Sequence, residues 1–401
     1  MSSTTVLTAA RPPFSEARDA TAVHRSRITS IDALRGLVMI IMLLDHVRET
    51  LYLHLQVTDP MTIPGTAPEV FFSRLAAHFC APTFVFLTGL SAWLYANPPS
   101  GTPRPLRSFL LKRGLLLIAL EFTVINFAWS GTYQVIYMQV MWAIGFSMVM
   151  LAFLSGLPRW FLAGLGFAIV FGHNAFAGIV VPPDSAWYLP WTLMLHRGWA
   201  AADTAVRVRL TYPALPWVGV ILLGYCFGPV FSARLDGRAR QRVLVAVGLA
   251  CLALLLALRG FNLYGENAPW VHGGSTVLTV MSWLNFTKYP PSLDFLLMTL
   301  GTALLLLALL EFTDNGLTRV FTAFGGAPMF FYILHLYFLM ISYKILLAAF
   351  GPNQGTRFGV DADAFWIVWV VWLALVPLFY FPCRAFARYK RTSKQAWVKY
   401  F

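Results

Sequence analysis

One stretch of the sequence, SIDALRGLVMIIMLLDHVRET at residues 30–50, places charged and titratable residues inside an apolar run. Arg35 and His46 stand eleven residues apart, and eleven helical residues turn through about 1100°, roughly 20° more than three full turns. The two side chains therefore share one helix face, about 16 Å apart along the axis. An arginine guanidinium suits phosphate binding, and a histidine suits proton transfer near neutral pH.

Each of these two residues also has a plainer interpretation. Arg35 could hold the end of the helix at the membrane surface by extending its charged head toward water, paired with Asp32 one turn away. His46 could be a packing histidine whose hydrogen bonds are satisfied inside the protein. The sequence leaves both interpretations open.

Three more charged residues follow the apolar run on the same helix. A charge at the centre of a membrane helix costs about 2.5–3.5 kcal/mol, whereas each Leu, Ile, Val or Phe favours insertion by only about 0.3–0.6 kcal/mol. Such residues usually face a cavity or a partner and serve a function. We expect Asp45 to pair with Arg48 at a spacing of three residues, and Glu49, one turn from His46, to orient that imidazole.

Polar residues in the other apolar segments fall at a similar depth, which predicts a hydrated cavity that reaches toward the bilayer centre. His78, in the second segment, is the second candidate for a catalytic base. The tryptophans of two long loops form either an interfacial belt or flat faces that stack on sugar rings. The remaining predicted cavity residues are Glu121, Asn126, Gln139, His173, Asn174, Lys288, Asp294 and His335, with Trp191 and Trp270 from the loops.

The composition is typical of a membrane protein. Of 401 residues, 58% are hydrophobic and only 12% are charged, whereas a globular chain carries about 25% charged residues. The net charge of +13 is distributed between the apolar runs and does not line one face, so we predict no nucleic-acid partner. The four cysteines lie far apart in apolar segments, so we expect structural thiols and no metal site.

The apolar runs predict an all-α, polytopic membrane protein with about ten transmembrane helices. Lysine and arginine are concentrated in alternate connecting segments, which predicts that both termini are cytosolic. Residues 1–27 are predicted to be a disordered cytosolic tail, 28–388 a transmembrane domain, and 389–401 a basic cytosolic tail. The predicted helices lie near residues 31–54, 71–95, 107–129, 132–154, 159–181, 212–231, 241–258, 293–311, 328–349 and 363–387.

Six blocks of the sequence resemble, in order, a family of bacterial membrane proteins related to the catalytic domain of heparan-α-glucosaminide N-acetyltransferase. They are SIDALRGLVMIIMLLDHVRE, AHFCAPTFVFLTGLSAWL, MQVMWAIGFSMVM, TYPALPWVGVILLGY, TKYPPSLDFLLMTLG and GGAPMFFYILHLYFLM. The resemblance covers the chain from residue 27 to about residue 385. It implies an enzyme that takes acetyl from cytosolic acetyl-CoA and places it on the amine of a terminal glucosamine across the membrane.

The chain departs from the pattern of that enzyme in its first helix and in the loop that follows. His46 stands where the enzyme has an asparagine. The enzyme's catalytic histidine matches a position near Val57, which cannot do that chemistry, and His54 is close but out of register. Separately, Arg35, ten residues and His46 resemble the Arg-x10-His motif of integral-membrane acyltransferases that O-acylate surface glycans, in which the motif also lies on the first helix.

Residues and resemblance together predict that residues 28–388 form an acyltransferase-like domain in the bacterial inner membrane, surrounded by lipid. Acetyl-CoA is the expected donor, and its phosphates are expected to bind Arg35, Arg107, Lys112 and Arg113. His46 would be the general base or would briefly carry the acetyl group, with His78 as the second candidate and with Glu49 and Asp45 in supporting roles.

The expected acceptor is a glycan or an amino sugar on the outer side, bound by the cavity and loop residues given above. The alternative function is a transporter or flippase for a glycan or lipid intermediate, because carriers also use buried carboxylates and histidines. The lack of an inverted repeat in the sequence disfavours a carrier. The sequence leaves open whether the protein forms a homodimer.

Overall fold

The computed structural model describes residues 15–98, 101–232 and 234–400, and most of them are helical. The helices, in chain order, are α1 (Ser15–Leu51), α2 (Pro68–Ala77), α3 (Cys80–Ala96), α4 (Leu106–Leu120), α5 (Asn126–Ser130), α6 (Val140–Leu154), α7 (Arg159–Gly172), α8 (Tyr188–Met194), α9 (Leu215–Phe227), α10 (Gly237–Gly260), α11 (Thr276–Trp283), α12 (Leu293–Leu310), α13 (Gly316–Gly325), α14 (Pro328–Phe350) and α15 (Trp366–Thr392).

Several of these helices are long and apolar enough to cross a membrane, which makes the chain a membrane protein. In the described part of the chain, five helical stretches meet that condition: Pro68–Ala96, Gly237–Gly260, Leu293–Leu310, Pro328–Phe350 and Ala362–Thr392. Two shorter apolar helices, Val140–Leu154 and Leu215–Phe231, accompany them. The number of ten transmembrane helices stays a prediction.

The first helix starts earlier than the sequence predicted. It begins at Ser15, so residues 15–27, which we expected to be disordered, are helical; residues 1–14 of the predicted tail lie outside the described residues. The segment contains no proline or glycine and is rich in alanine and arginine, which favour helix. At the other end of the chain, α15 continues to Thr392 and a short 3-10 turn, Ala396–Tyr400, follows it.

A small β-sheet corrects the all-α prediction. Its strands β1 (Val135–Met138), β2 (Gly198–Ala201) and β3 (Arg207–Leu210) lie in the order β1–β3–β2, with β1 parallel and β2 antiparallel to β3. The segment Val135–Met138 is rich in β-branched and aromatic residues, which favour strands. We expected a helix from residue 132, but α6 begins only at Val140, after β1.

Closely packed pairs of helices hold the core together at glycines. Gly36 of α1 faces Gly325 of α13, and a Cβ on either one would overlap a backbone carbonyl of the other helix. Gly89 of α3 and Gly224 of α9 face each other in the same reciprocal way. Small residues at these positions let two helix backbones approach closely, which is how membrane helices gain much of their packing energy.

Candidate active site

A cavity of about 1270 Å³ lies beside α1, and both Arg35 and His46 line it. Because these residues are about 16 Å apart along the helix, the cavity extends along α1 from one to the other. Helices α3, α4, α6, α13, α14 and α15 supply much of the remaining wall. We call its two ends the basic end, lined by Arg35, Arg113, Arg319, Lys390 and Arg391, and the histidine end, lined by Asp45, His46, Tyr212, Lys288 and Tyr332.

At the basic end, Arg35 is held in place by three partners on three helices. Its guanidinium donates to the Asp32 carboxylate at 2.7 Å, to the Ser91 hydroxyl at 3.2 Å and to the Gly325 carbonyl at 3.5 Å. The pairing with Asp32 is confirmed, and Arg35 lines the cavity as well. Five cations and one carboxylate, Asp32, line this end, and Asp314 outside the lining pairs with Arg319. The end therefore keeps a positive charge and can attract an anionic group such as a phosphate.

Two of the four cations predicted to bind phosphate, Arg35 and Arg113, line the cavity, and the other two do not. Arg107 and Lys112 lie on the same helix but are exposed and do not line the cavity. The other cations at the basic end are Arg319 of α13 and Lys390 and Arg391 of α15. The sequence pattern marks these three only as charges on the cytosolic side and does not predict that they line a cavity. Arg319 also pairs with Asp314 at 3.3 Å.

Between its two ends the cavity is mainly apolar. The side chains that line this part come from α1, α3, α4 and α6, and they present methyl, thioether, thiol and phenyl groups. Such a wall accommodates an uncharged, flexible chain better than a charged group. The residues are Met42, Cys80, Ala81, Phe84, Leu117, Met141, Ile144 and Met148.

At the histidine end, hydrogen bonds fix the tautomers of two histidines. His335 Nδ1 lies 2.7 Å from the carbonyl oxygen of Phe331, and His335 Nε2 lies 2.6 Å from His46 Nδ1. A carbonyl only accepts, so Nδ1 of His335 must carry the hydrogen, and its Nε2, in the neutral ring, accepts one from His46 Nδ1. The remaining nitrogen of His46, Nε2, therefore holds a lone pair and can act as a base or a nucleophile.

Two aromatic rings further restrict the His46 ring. The Trp129 ring meets it edge-on, with centroids 4.9 Å apart, and the Tyr332 ring lies 6.1 Å away. His335 itself is 0% exposed and does not line the cavity. The predicted role of His335 in binding an acceptor stays a prediction; in the structure its Nε2 contacts His46.

The carboxylates beside His46, of which Asp45 is buried and Glu49 half-buried, form a cluster with two buried arginines. Asp45 accepts from Arg48 at 2.8 and 2.9 Å and from Arg74 at 3.2 Å. Glu49 accepts from Arg48 at 3.3 Å and from Arg74 at 3.4 Å. The predicted pairing of Asp45 with Arg48 is confirmed. The predicted contact of Glu49 with His46 does not form among the described residues, because both arginines draw the Glu49 carboxylate to themselves.

His78 occupies the interruption between α2 and α3. It is 1% exposed, and its ring lies 5.2 Å from the Phe295 ring. Neither of its ring nitrogens has a hydrogen-bond partner among the described residues, and it does not line the cavity. Its role as a second catalytic base stays a prediction.

Three of the predicted acceptor-binding residues lie behind the cavity wall and support it; they are Glu121, Asn126 and Gln139. Glu121 lies in a π-helical turn between α4 and α5, and its carboxylate accepts from the backbone N–H groups of Met141 and Trp142 at 2.8 and 3.1 Å. Asn126 bonds the backbone of β1, and Gln139 immediately precedes α6. These residues fix the start of α6, which carries part of the apolar wall.

Most of the other predicted acceptor-binding residues also lie outside the cavity lining. His173 Nε2 contacts the Pro291 carbonyl at 2.7 Å, and Asn174 accepts from the Leu293 N–H at 2.8 Å, so both fix the start of α12. Asp294 lies in the first turn of α12. Of the ten residues predicted to bind the acceptor, Lys288 lines the cavity. The two predicted tryptophans have other contacts: Trp191 packs against Phe176, and the Trp270 indole N–H donates to the Arg259 carbonyl.

Comparison with protein families identifies a matching family model. The family model described as "Heparan-alpha-glucosaminide N-acetyltransferase, catalytic" matches residues 27–263, which is more than half of the chain. The matched segment contains Arg35, His46 and Arg113, and it ends before Lys288 and His335. A comparison with curated proteins gave no match. On this evidence, the chain belongs to the family of the heparan-α-glucosaminide N-acetyltransferase catalytic domain.

Proposed function

We propose that the protein transfers an acyl group from acyl-CoA, with acetyl-CoA as the expected donor, to a glycan or amino-sugar acceptor on the opposite side of the membrane. One observation carries the proposal: a single cavity joins a cluster of five cations to a histidine whose Nε2 is free. Membership of an acetyltransferase family supports the same class of reaction.

The donor fits the cavity by the chemistry of its parts. The phosphates of CoA would bind at the basic end, where Arg35 and Arg113 offer charge-assisted hydrogen bonds. The uncharged pantetheine arm would lie in the apolar middle. The thioester would then stand at the histidine end, beside His46.

His46 would act through its Nε2. As a general base, it would take the proton from the acceptor amine or hydroxyl while that group attacks the thioester carbonyl, and it would then give the proton to the departing CoA thiolate. His335 would keep His46 in the tautomer that carries its hydrogen on Nδ1. Its Nε2 would also accept a hydrogen bond from the His46 imidazolium that forms. In the second route, His46 carries the acetyl group covalently before the acceptor takes it.

The orientation follows from charge and from donor supply. The basic end lies toward the start of α1 and the end of α15, which the lysine and arginine bias assigns to the cytosol of a bacterial inner membrane, where acetyl-CoA is made. The same bias predicts that two long loops, residues 182–211 and 259–292, face outward. The histidine end is lined by Tyr212, which directly follows the first loop, and by Lys288, which lies in the second. The acceptor would reach His46 from that side.

Equilibrium binding of CoA to the purified protein tests the donor site. Arg35→Gln and Arg113→Gln should each weaken CoA binding by about 10- to 150-fold, because each loses a charge-assisted contact of roughly 1.5–3 kcal/mol. Arg107→Gln is the matched control: it removes an arginine of α4 that lies outside the cavity, and it should leave CoA affinity unchanged. Equal affinity in all three variants would place the nucleotide elsewhere.

Release of CoA separates an acyltransferase from a carrier. Purified protein given acetyl-CoA and glucosamine should release free CoA thiol in proportion to acetylated glucosamine. A transporter or flippase would release no CoA under any acceptor condition.

A further inference from the structure

Lys288 places a buried ammonium group at the histidine end of the cavity. The residue lies in the segment between α11 and α12, is 5% exposed and lines the cavity. Its Nζ stands 5.3 Å from the centre of the Tyr289 ring. In the described part of the chain, no carboxylate lies within 4.0 Å of this Nζ, and the ammonium has no hydrogen-bond acceptor.

The carboxylates nearest to Lys288 are engaged elsewhere. Asp45 is bound by Arg48 and Arg74. Asp59 accepts from the backbone N–H of Lys288 at 3.2 Å and from that of Tyr289 at 2.9 Å. Burial raises the pKa of the Asp59 carboxyl above its ordinary value, although Arg74, the backbone N–H of Lys288 and the more distant Lys288 charge oppose the shift. A buried charge without a partner is costly, so the Lys288 ammonium is suited to a ligand that brings negative charge.

The backbone around Lys288 is held in place. Asp59 binds two consecutive amides of the segment, and the Tyr289 hydroxyl lies 3.1 Å from the Tyr212 hydroxyl, which belongs to another loop. The Arg197 guanidinium covers the Tyr289 ring at 5.1 Å. A donor group on a fixed backbone is preorganised, which is the arrangement that stabilises developing charge most effectively.

The position of Lys288 in the cavity determines which negatively charged group of a bound donor it can contact. The phosphates of a bound donor are matched by the five cations at the basic end, about 16 Å along α1 from the level of His46. At the histidine end, the group that gains negative charge during acyl transfer is the carbonyl oxygen of the thioester.

We propose that Lys288 is a catalytic residue that hydrogen-bonds the carbonyl oxygen of the donor thioester and stabilises the oxyanion; this rests on the proposed function. The acceptor nitrogen or oxygen forms a bond to the carbonyl carbon, its proton moves to His46 Nε2, and the electron pair of the C=O π bond moves to the oxygen beside Lys288. The oxyanion then re-forms the carbonyl, the carbon–sulfur bond breaks, and the thiolate takes the proton from His46.

The test compares Lys288→Met and Lys288→Arg with Lys344→Met, which removes an exposed lysine of α14 outside the cavity. Release of CoA from acetyl-CoA with glucosamine as acceptor should fall about 10²- to 10³-fold in Lys288→Met, should be partly kept in Lys288→Arg, and should be unchanged in Lys344→Met. Affinity for CoA, which lacks the carbonyl, should stay within about twofold of wild type in all three, because the phosphate contacts lie at the other end of the cavity.

A spectroscopic readout distinguishes polarisation of the carbonyl from a structural role. The infrared carbonyl stretch of bound ¹³C-labelled acetyl-CoA should lie at lower frequency in wild type than in Lys288→Met. Equal frequencies, or unchanged turnover in Lys288→Met, would overturn the role of Lys288. An equal loss of affinity for CoA and for acetyl-CoA would instead show that Lys288 binds an anionic group that both molecules carry. That result would also overturn the role of Lys288 at the carbonyl oxygen. Wild-type protein that neither binds nor consumes acetyl-CoA would overturn the proposed function itself.

Discussion

At the scale of single residues, the proposed chemistry depends on which nitrogen of His46 is free. The Phe331 carbonyl fixes the His335 tautomer, and His335 in turn fixes that of His46. This chain of hydrogen bonds ends on a backbone atom that cannot change its role as acceptor. The free Nε2 is therefore a property of the fold and needs no ligand to create it.

Replacing His46 by alanine should separate binding from chemistry. His46→Ala should bind CoA with wild-type affinity but release it from acetyl-CoA about 10²- to 10⁴-fold more slowly, the usual effect of losing a general base. Isothermal titration with CoA and a thiol-release assay measure the two quantities. His78→Ala is the comparison: full activity in His46→Ala with an inactive His78→Ala would move the catalytic role to the interruption between α2 and α3.

Of the pair His46 and His335, the sequence pattern predicted the position of His46 but not its contact with His335. The eleven-residue spacing predicted that Arg35 and His46 share a face, and both line the cavity. His335 was identified as a polar residue at depth, but its contact with His46 joins positions 289 residues apart. No local periodicity encodes such a contact, because it depends on how α1 and α14 pack against each other.

At the scale of secondary-structure elements, α1 works as the wall of the cavity only because α13 packs closely against it. Gly36 and Gly325 bring the two backbones together, and Arg35, next to Gly36, reaches the Gly325 carbonyl. The packing of this helix pair and the position of a proposed phosphate-binding residue are therefore coupled.

Adding one methyl group at Gly36 should disturb that coupling. A Cβ there overlaps the Phe321 carbonyl, so Gly36→Ala should lower the free energy of unfolding by about 1–3 kcal/mol and weaken CoA binding. Thermal unfolding in detergent and CoA titration measure the two effects. Gly164→Ala, on α7, is the control because a Cβ there meets no described atom within 4 Å; equal melting temperatures for both variants would contradict the close packing.

The long helices were predictable and the short elements were not. Apolar runs of about 20 residues predict helices such as α10, α12 and α14. The ten-residue α13, with Arg319 inside it, is too short and too polar to be recognised in that way, and the strands of the small sheet are four residues each. For such elements, tertiary partners decide the structure more than local pattern does.

At the scale of the whole molecule, the proposal requires that the basic end and the long loop before α9 lie on opposite sides of the membrane. Ala202 is exposed in that loop, and Gly156 is exposed between α6 and α7 on the side predicted to be cytosolic. In a cysteine-free background, Ala202→Cys should react with a membrane-impermeant maleimide in intact spheroplasts, and Gly156→Cys should react only after permeabilisation. The reverse pattern would invert the proposed direction of transfer.

We propose that the cavity beside α1 is the path of the acyl donor, and an experimental structure of the protein with acetyl-CoA bound would test this claim. The predicted result places the CoA phosphates against Arg35 and Arg113, the pantetheine arm in the apolar middle, and the acetyl carbonyl between His46 Nε2 and the Lys288 ammonium. Acetyl-CoA bound on another surface, or lying in the cavity with its acetyl group away from His46, would contradict the claim.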